Sequence, residues 1–371
     1  MGRARYDVGL ADHRHKVPVA YSRYAGRFHR LPDPHGPQTD FIAALKLLID
    51  EYGYVALIAT DDATLARLAH AGSPIPSFPS TGEAFKRLTD KTGLAAICAR
   101  ANVSYPKTFE AKSPGEAKRL SSELEYPLVV KAARSAEATT QSVHELKGAV
   151  VALDRDAALK ACAELSANGL VPIIQKRVDK TEKLVIAIVR RGGVSEMRFA
   201  TRVLREFPRP GGIGSALESI APHMGTAAFA LDALERVCDQ AGYEGLACAE
   251  FIVTSAGEVF LIEVNPRLWG SLWFAENLGQ RAAERGVRVA LGEAALPQVE
   301  YPVGRRFHHM PSEWRWVWKR DRDRVRALFQ VVPSLRPWDI YDYIAFSDPL
   351  PLVGRLLPDR PDRLSRVPNV L

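Results

Sequence analysis

The sequence predicts a small α/β domain at the amino terminus followed by a larger α+β domain, and three observations carry the prediction. The chain has 371 residues, which at about 100–200 residues per domain makes two or three domains. Near the start, apolar strand-like and helical runs alternate, the pattern of a parallel sheet. Further along, pairs of short strands joined by turns alternate with helices, the pattern of antiparallel layers.

Taken in order, residues 5–11 (RYDVGLA) read as a strand, residues 41–52 (FIAALKLLIDEY) carry apolar groups at helical spacing, and residues 54–60 (YVALIAT) are a buried-strand run. Pro74, Pro76 and Pro79 break the pattern and place a boundary at 75–80. Ser80 with Glu83 is a capping box opening a helix towards Lys91, and Ser113 with Glu116, with Pro114 between, opens another. Residues 128–133 (LVVKAA) and 148–153 (GAVVAL) read as strands, and Asp154 caps a helix to Leu165. Strands at 171–175 and 184–189 are joined by a polar turn over 179–183. Residues 206–219 (EFPRPGGIGSALES) are too rich in proline and glycine for regular structure and read as a functional loop. A helix over 227–240 leads to a hairpin with strands at 249–254 and 259–265.

Composition narrows the function. With 47% hydrophobic and 25% charged residues the chain is that of a soluble globular protein. It has no apolar run long enough to span a membrane and no secretory leader, so a cytoplasmic location without membrane association is expected. Cys98, Cys162, Cys238 and Cys248 form no CxxC pair and read as small buried hydrophobes. The histidine pairs His13, His15 and His308, His309 read as surface groups with no carboxylate at metal-ligand spacing. There is no GxxxxGK[ST], GxGxxG or GxSxG. The formal charge is +7, but residues 301–330 carry eight Lys or Arg against three acids, which is five of those seven charges. The excess is therefore local, not that of a general polyanion binder.

The hairpin is the most informative segment. Side chains alternate along a strand, so Glu263, Asn265 and Arg267 project one way. With residues 255–258 as a four-residue turn, Thr254 pairs with Val259 and Glu250 stands opposite Glu263. Facing carboxylates repel and need a cation. Two carboxylates and an amide suit Mg²⁺, which takes few protein oxygens and fills its shell with water and nucleotide phosphates. Lys131, inside an apolar run with no acid within five residues, calls for an anion. Its alternative is an exposed edge-strand lysine.

Residues 249–271 (AEFIVTSAGEVFLIEVNPRLWGS) resemble the metal-binding hairpin of the ATP-grasp superfamily of ATP-dependent carboxylate ligases, and the resemblance extends over roughly 80–295. It implies an ATP-grasp fold, with ATP as cofactor and one or two Mg²⁺ (with Mn²⁺ as an alternative) held by Glu250, Glu263 and Asn265. It further implies that Lys91 and Lys131 reach the phosphates, that Gln175, Lys176, Arg177 and Val178 form the adenine hinge, and that Glu182 binds ribose. The 205–219 segment resembles a loop closing over the triphosphate, with Gly212 and Ser215 offering contacts and Arg202 or Arg205 supplying cations. Arg267 would hold the carboxylate and then its acyl phosphate, which an amine attacks. The substrates implied are thus a small carboxylate and an amine.

The expected domains are an α/β pre-ATP-grasp domain at 1–79, which looks truncated by one βα unit, an ATP-grasp domain at 80–296 with its small lobe at about 110–180, and a basic, Trp-rich carboxy-terminal extension at 297–371. The competing reading is an inactive nucleotide fold whose segment 312–326 (SEWRWVWKRDRDRVR) binds nucleic acid by stacking and phosphate contact. Packing of Trp314, Trp316 and Trp318 onto the body is favoured over it, so nucleic acid is not the expected partner, and a homodimer through this tail is a further arrangement. An acceptor other than an amine is also compatible, because the shared residues serve the ATP half-reaction.

Overall fold

A computed structural model describes residues 1–371 apart from 5, 16, 147, 208–211, 319–328, 330, 343, 344, 346, 355–363 and 366–371. The amino-terminal region is parallel, as its alternating pattern requires: strand Gly9–Asp12 pairs with Arg27–Arg30, and Leu57–Ile58 with Ser77–Phe78. Helix Gln38–Tyr52 buries Phe41, Ala44, Leu45 and Leu48 along one stripe and stops where Gly53 turns left-handed at φ 66°.

The expected single helix towards Lys91 is two. Glu83–Thr89 is capped by Gly82 without a side-chain bond, and a second helix, Lys91–Arg100, begins at once. The break falls at Asp90, which caps the second helix with its side chain. Its carboxylate accepts from the N–H groups of Thr92 and Gly93 at 3.0 and 3.1 Å. Lys91 is therefore the first residue of a helix, and its N–H donates to the Ala133 carbonyl at 3.0 Å, two residues past Lys131.

The small lobe is a four-stranded antiparallel sheet in the order Thr108–Glu110, Pro172–Lys176, Leu128–Ala132, Ala149–Ala152. Helices Pro114–Glu123 and Arg155–Ala167 cover one face. Ser113 and Asp154 cap them through the N–H groups of Glu116 and Ala157. Leu128, Val130 and Ala132 pack into that covered side. By alternation Val129 and Lys131 point to the opposite side.

The large sheet runs Val259–Asn265, Gly245–Val253, Glu182–Arg191, Val194–Phe207, Ile213–Ile220, Arg306–His308, Ile340–Tyr341. Helix Gly225–Ala241 packs on one face through Ala230, Leu234, Val237 and Cys238. Two expectations are corrected here. The strands ending at Lys176 and starting at Glu182 are not a hairpin: they belong to different sheets, and 177–181 is the connection between lobes. The segment 206–219 is not a loop but mostly ladder, with Glu206 opposite Gly214 and Phe207 opposite Ile213. Its prolines at 208 and 210 lie outside the described residues.

The tail joins existing sheets. Strand Arg306–His308 extends the large sheet beside Ile213–Ile220, Ile340–Tyr341 follows in parallel, and Leu364–Ser365 adds to the amino-terminal sheet. Of the three tryptophans in helix Met310–Trp318, Trp316 is buried, whereas Trp314 and Trp318 are exposed. The basic residues Lys319, Arg320, Arg322, Arg324 and Arg326 lie outside the described residues. All four cysteines are free and buried. No helix among the described residues is long and apolar enough to cross a membrane.

Candidate functional site

The hairpin places Glu250 opposite Glu263 and Cys248 opposite Asn265. This register arises by two compensating departures from the simple pattern. The turn is one residue longer than expected, since Val253 rather than Thr254 pairs with Val259, and a bulge between Glu250 and Phe251 restores the offset. The bulge also lets Leu261 and Val264 share one core although they are three residues apart. Glu263 and Asn265 are thereby left on the other face, and Asn265 Nδ2 donates to Glu263 Oε1 at 2.9 Å.

Lys131 meets this hairpin from the small lobe. It is only 7% exposed and lies on an internal strand, flanked by Pro172–Lys176 and Ala149–Ala152, so it is not an edge residue. Burial, with Lys91 as a like charge, brings its ammonium down to about 8, against the pull of Glu263 and Glu250. Lys91 is also buried and lowered by burial, with Glu263 and Asp62 acting in the other direction. Glu263 responds in kind: burial opposes its charge, but Lys91, Lys131 and the Asn265 amide hold it at about 2. Burial and the facing Glu263 raise the Glu250 carboxyl, against Lys183.

Lys183 is the residue that the sequence reading missed. It had been assigned to the polar turn over 179–183, but strand Glu182–Arg191 starts earlier and Lys183 faces the cleft, diagonal to Glu250 across the ladder. Its Nζ lies 2.7 Å from Glu250 Oε2 and 3.3 Å from Glu206 Oε1, and it donates to the Gly212 carbonyl at 3.1 Å. Burial disfavours its charge, yet Glu250 and Glu206 outweigh this and raise its affinity for the proton. A signal was available: once Glu250 is placed, a lysine in the neighbouring strand at a site-facing register is the cheapest counter-charge.

Arg267 closes the far side, beyond the strand end. Its Nε lies 2.6 Å from Asp62 Oδ1, a carboxylate contributed by the amino-terminal domain, and its Nη1 donates to the Leu268 carbonyl at 3.1 Å. Asp62, Lys91, Arg134, Glu263, Asn265 and Arg267 line one small cavity of about 50 Å³.

Other expected site residues sit elsewhere. Glu182 is on the sheet face opposite Lys183, where it pairs with Arg202. Arg205 is turned to the tail helix: its Nη2 is 2.5 Å from Glu313 Oε2 and donates to Ser334 Oγ at 2.8 Å. Ser215 is buried beside the same Glu313. Among the described residues of that segment, Gly212 and Glu206 reach the cleft, the first through its carbonyl and the second through its carboxylate, both on Lys183. In the connection between lobes, Gln175 is buried and donates from Nε2 to Thr108 Oγ1 at 2.7 Å. Lys176 and Arg177 form exposed ion pairs with Glu125 and Asp179, and Val178 is half-buried. The reading of His308 and His309 as surface groups is corrected: His308 is 1% exposed and hydrogen-bonds Asp339 at 3.2 Å, and His309 pairs with Asp342 at 3.3 Å. Those carboxylates are some thirty residues away in sequence, and the pairing of Phe307 with Ile340 brings them in.

The donor set fits a hard divalent cation. Two carboxylates and an amide oxygen are too few for a closed protein cage, and no group of three or more His, Cys, Asp or Glu is arranged for a metal among the described residues. Such a site must complete its shell with water and phosphate oxygens, as Mg²⁺ does.

A small antiparallel lobe and a large antiparallel sheet meeting across a lysine- and glutamate-lined cleft define the class: the chain has the ATP-grasp fold. Among solved structures it is similar to a biotin carboxylase from Campylobacter jejuni in complex with β,γ-ATP (19% identity, TM-score 0.57), matching 71% of this chain and spanning 60% of that one. It is likewise similar to the biotin carboxylase domain of a 2-oxoglutarate carboxylase from Hydrogenobacter thermophilus with MgADP, ADP and bicarbonate (15%, TM-score 0.60, 82% and 69%). An L-amino acid ligase from Bacillus licheniformis is a third (15%, TM-score 0.58, 78% and 69%). Neither family models nor curated proteins give a match to the sequence.

Proposed function

We propose that this chain is an ATP-dependent ligase that phosphorylates a carboxylate and joins the resulting acyl group to an amine, releasing ADP and phosphate. The observation that carries the reading is the convergence of Glu250, Glu263 and Asn265 with the buried Lys91 and Lys131. These two lysines come from different lobes, and each needs an anion. The neighbours crystallised with ATP-type nucleotides or MgADP support it.

In this reading the main chain of 176–178 holds the adenine, and Lys91 and Lys131 neutralise the phosphates while Glu250, Glu263 and Asn265 hold Mg²⁺. An ion held there would supply stabilisation of the charge on the transferring group. Arg267 shows how it would grip a substrate: the position now held by Asp62 Oδ1 is that of a carboxylate oxygen on a guanidinium. Closure of the lobes would exclude water from the acyl phosphate. The test is ADP formation with Mg²⁺-ATP across a panel of amino acids and small carboxylic acids. No ADP release with any acid and amine would overturn the proposal.

The same geometry sets a pH dependence. Lys131 titrates at about 8 in the free fold against 10.5 for an ordinary lysine. Between those values the unfolded chain binds the extra proton, so this group makes the unliganded fold more stable as pH rises. A triphosphate selects the charged ammonium, so nucleotide affinity falls once pH exceeds about 8, and binding there takes up a proton. Calorimetry in two buffers of different ionisation enthalpy reads this uptake. Affinity that stays flat from about pH 7 to 9.5 would remove Lys131 from the phosphate site.

A further inference from the structure

The structure assigns Lys183 the place of a second cation, and we infer that the Glu250–Glu263 hairpin takes one divalent ion rather than two. The inference rests on the nucleotide-binding reading of the cleft and concerns how its charge is balanced.

Facing carboxylates need positive charge between them. Glu250 Oε2 is occupied by Lys183 Nζ at 2.7 Å. Glu263 Oε1 accepts from Asn265 Nδ2 at 2.9 Å, which fixes the amide so that its oxygen faces away from that bond. The hairpin then offers Glu250 Oε1, Glu263 Oε2 and Asn265 Oδ1. Three protein oxygens suit one Mg²⁺, and on Glu250 Oε2 the Lys183 ammonium already supplies the positive charge that a second ion would bring.

Lys183 is built in rather than resting there. Its ammonium donates to the Gly212 carbonyl at 3.1 Å and forms ion pairs with Glu250 at 2.7 Å and Glu206 at 3.3 Å. Glu206 is itself buried and pinned from behind by Lys180 at 2.5 Å. Withdrawing Lys183 to admit a metal would strand Glu206 against one lysine and leave a 7% exposed ammonium without its main partner. Lys183 is thus a positioning residue: it holds one oxygen of Glu250 and turns the other to the ion.

The experiment counts ions. Mn²⁺, as a paramagnetic stand-in, is titrated into the full chain with a non-hydrolysable ATP analogue, and bound ions are read by electron paramagnetic resonance. One Mn²⁺ per chain is expected at saturation. Lys183→Met frees Glu250 Oε2 and its charge, and is expected to take two; Lys183→Arg keeps a cation and stays at one. Two ions in the unaltered chain would overturn the inference, whatever the variants do, and so would a soluble Lys183→Met variant that binds the analogue with one ion. Failure of the unaltered chain to bind the analogue at all would overturn the ligase reading as well, which separates the two outcomes.

Discussion

Glu263→Gln is expected to reduce ADP formation by on the order of 10²–10³-fold while leaving far-ultraviolet dichroism and gel-filtration behaviour unchanged. The substitution keeps the shape and the bond to Asn265 but removes the charge that Lys91 and Lys131 face. It also removes the donor common to the metal and the phosphate-facing lysines, so metal-dependent nucleotide binding should weaken in parallel. Structural collapse is not expected, because buried lysines can shed their protons when their anion is lost, and Lys131 already titrates at about 8. Near-normal ADP formation by Glu263→Gln would sink the assignment of the hairpin.

Glu313→Gln and Arg205→Met are expected to act on stability instead. Glu313 is 0% exposed, its carboxylate is bound by Arg205, and it sits in the tail helix Met310–Trp318. Removing one partner of a buried pair leaves the other uncompensated and costs about 3–5 kcal/mol. The cost should appear as a lower unfolding midpoint and faster proteolysis of the tail, while ADP formation per folded molecule is retained. An Arg205→Met variant of unchanged stability that loses turnover would return Arg205 to the phosphates. The pair also predicts acid lability. Burial works against the Glu313 charge, but the Arg205 guanidinium bound to it and the neighbouring His308 and Ser215 hold it at about 2, below its ordinary 4.5. The stability it supplies is complete above about 4.5 and is lost as pH falls from there through about 2.

The two experiments separate what the basic, Trp-rich tail had left open. Its described part extends the large sheet and locks Arg205, and Trp316, Val317 and Val331 form a small core of their own. Packing is thus seen for Trp316 among the described residues, whereas Trp314 and Trp318 remain exposed.

Periodicity and capping chemistry made much of the fold legible. Asp154, Ser113 with Pro114, and the Glu250–Glu263 pairing are local signals, because a cap acts over three residues and a hairpin over a few more. The lysine in LVVKAA was legible for a similar reason, since an unpaired charge in an apolar run is costly wherever it folds. Non-local choices were not legible. Residues 179–183 read as a turn before a strand at Leu184, but the strand starts two residues earlier, at Glu182, and its alternation turns Lys183 towards Glu250. It assigned Arg205 to the phosphates, but Glu313, more than a hundred residues later, competes for the same guanidinium. Composition placed His308 at the surface, and a parallel pairing brought Asp339 to it in the interior.

By itself, then, the sequence determined the alternation of strands and helices, the facing acids and the buried lysine, each set by covalent neighbours and by the period of the backbone. Tertiary structure alone decided which cation meets which carboxylate. A long charged side chain can reach several partners at similar cost, and the one it takes depends on which strands lie side by side.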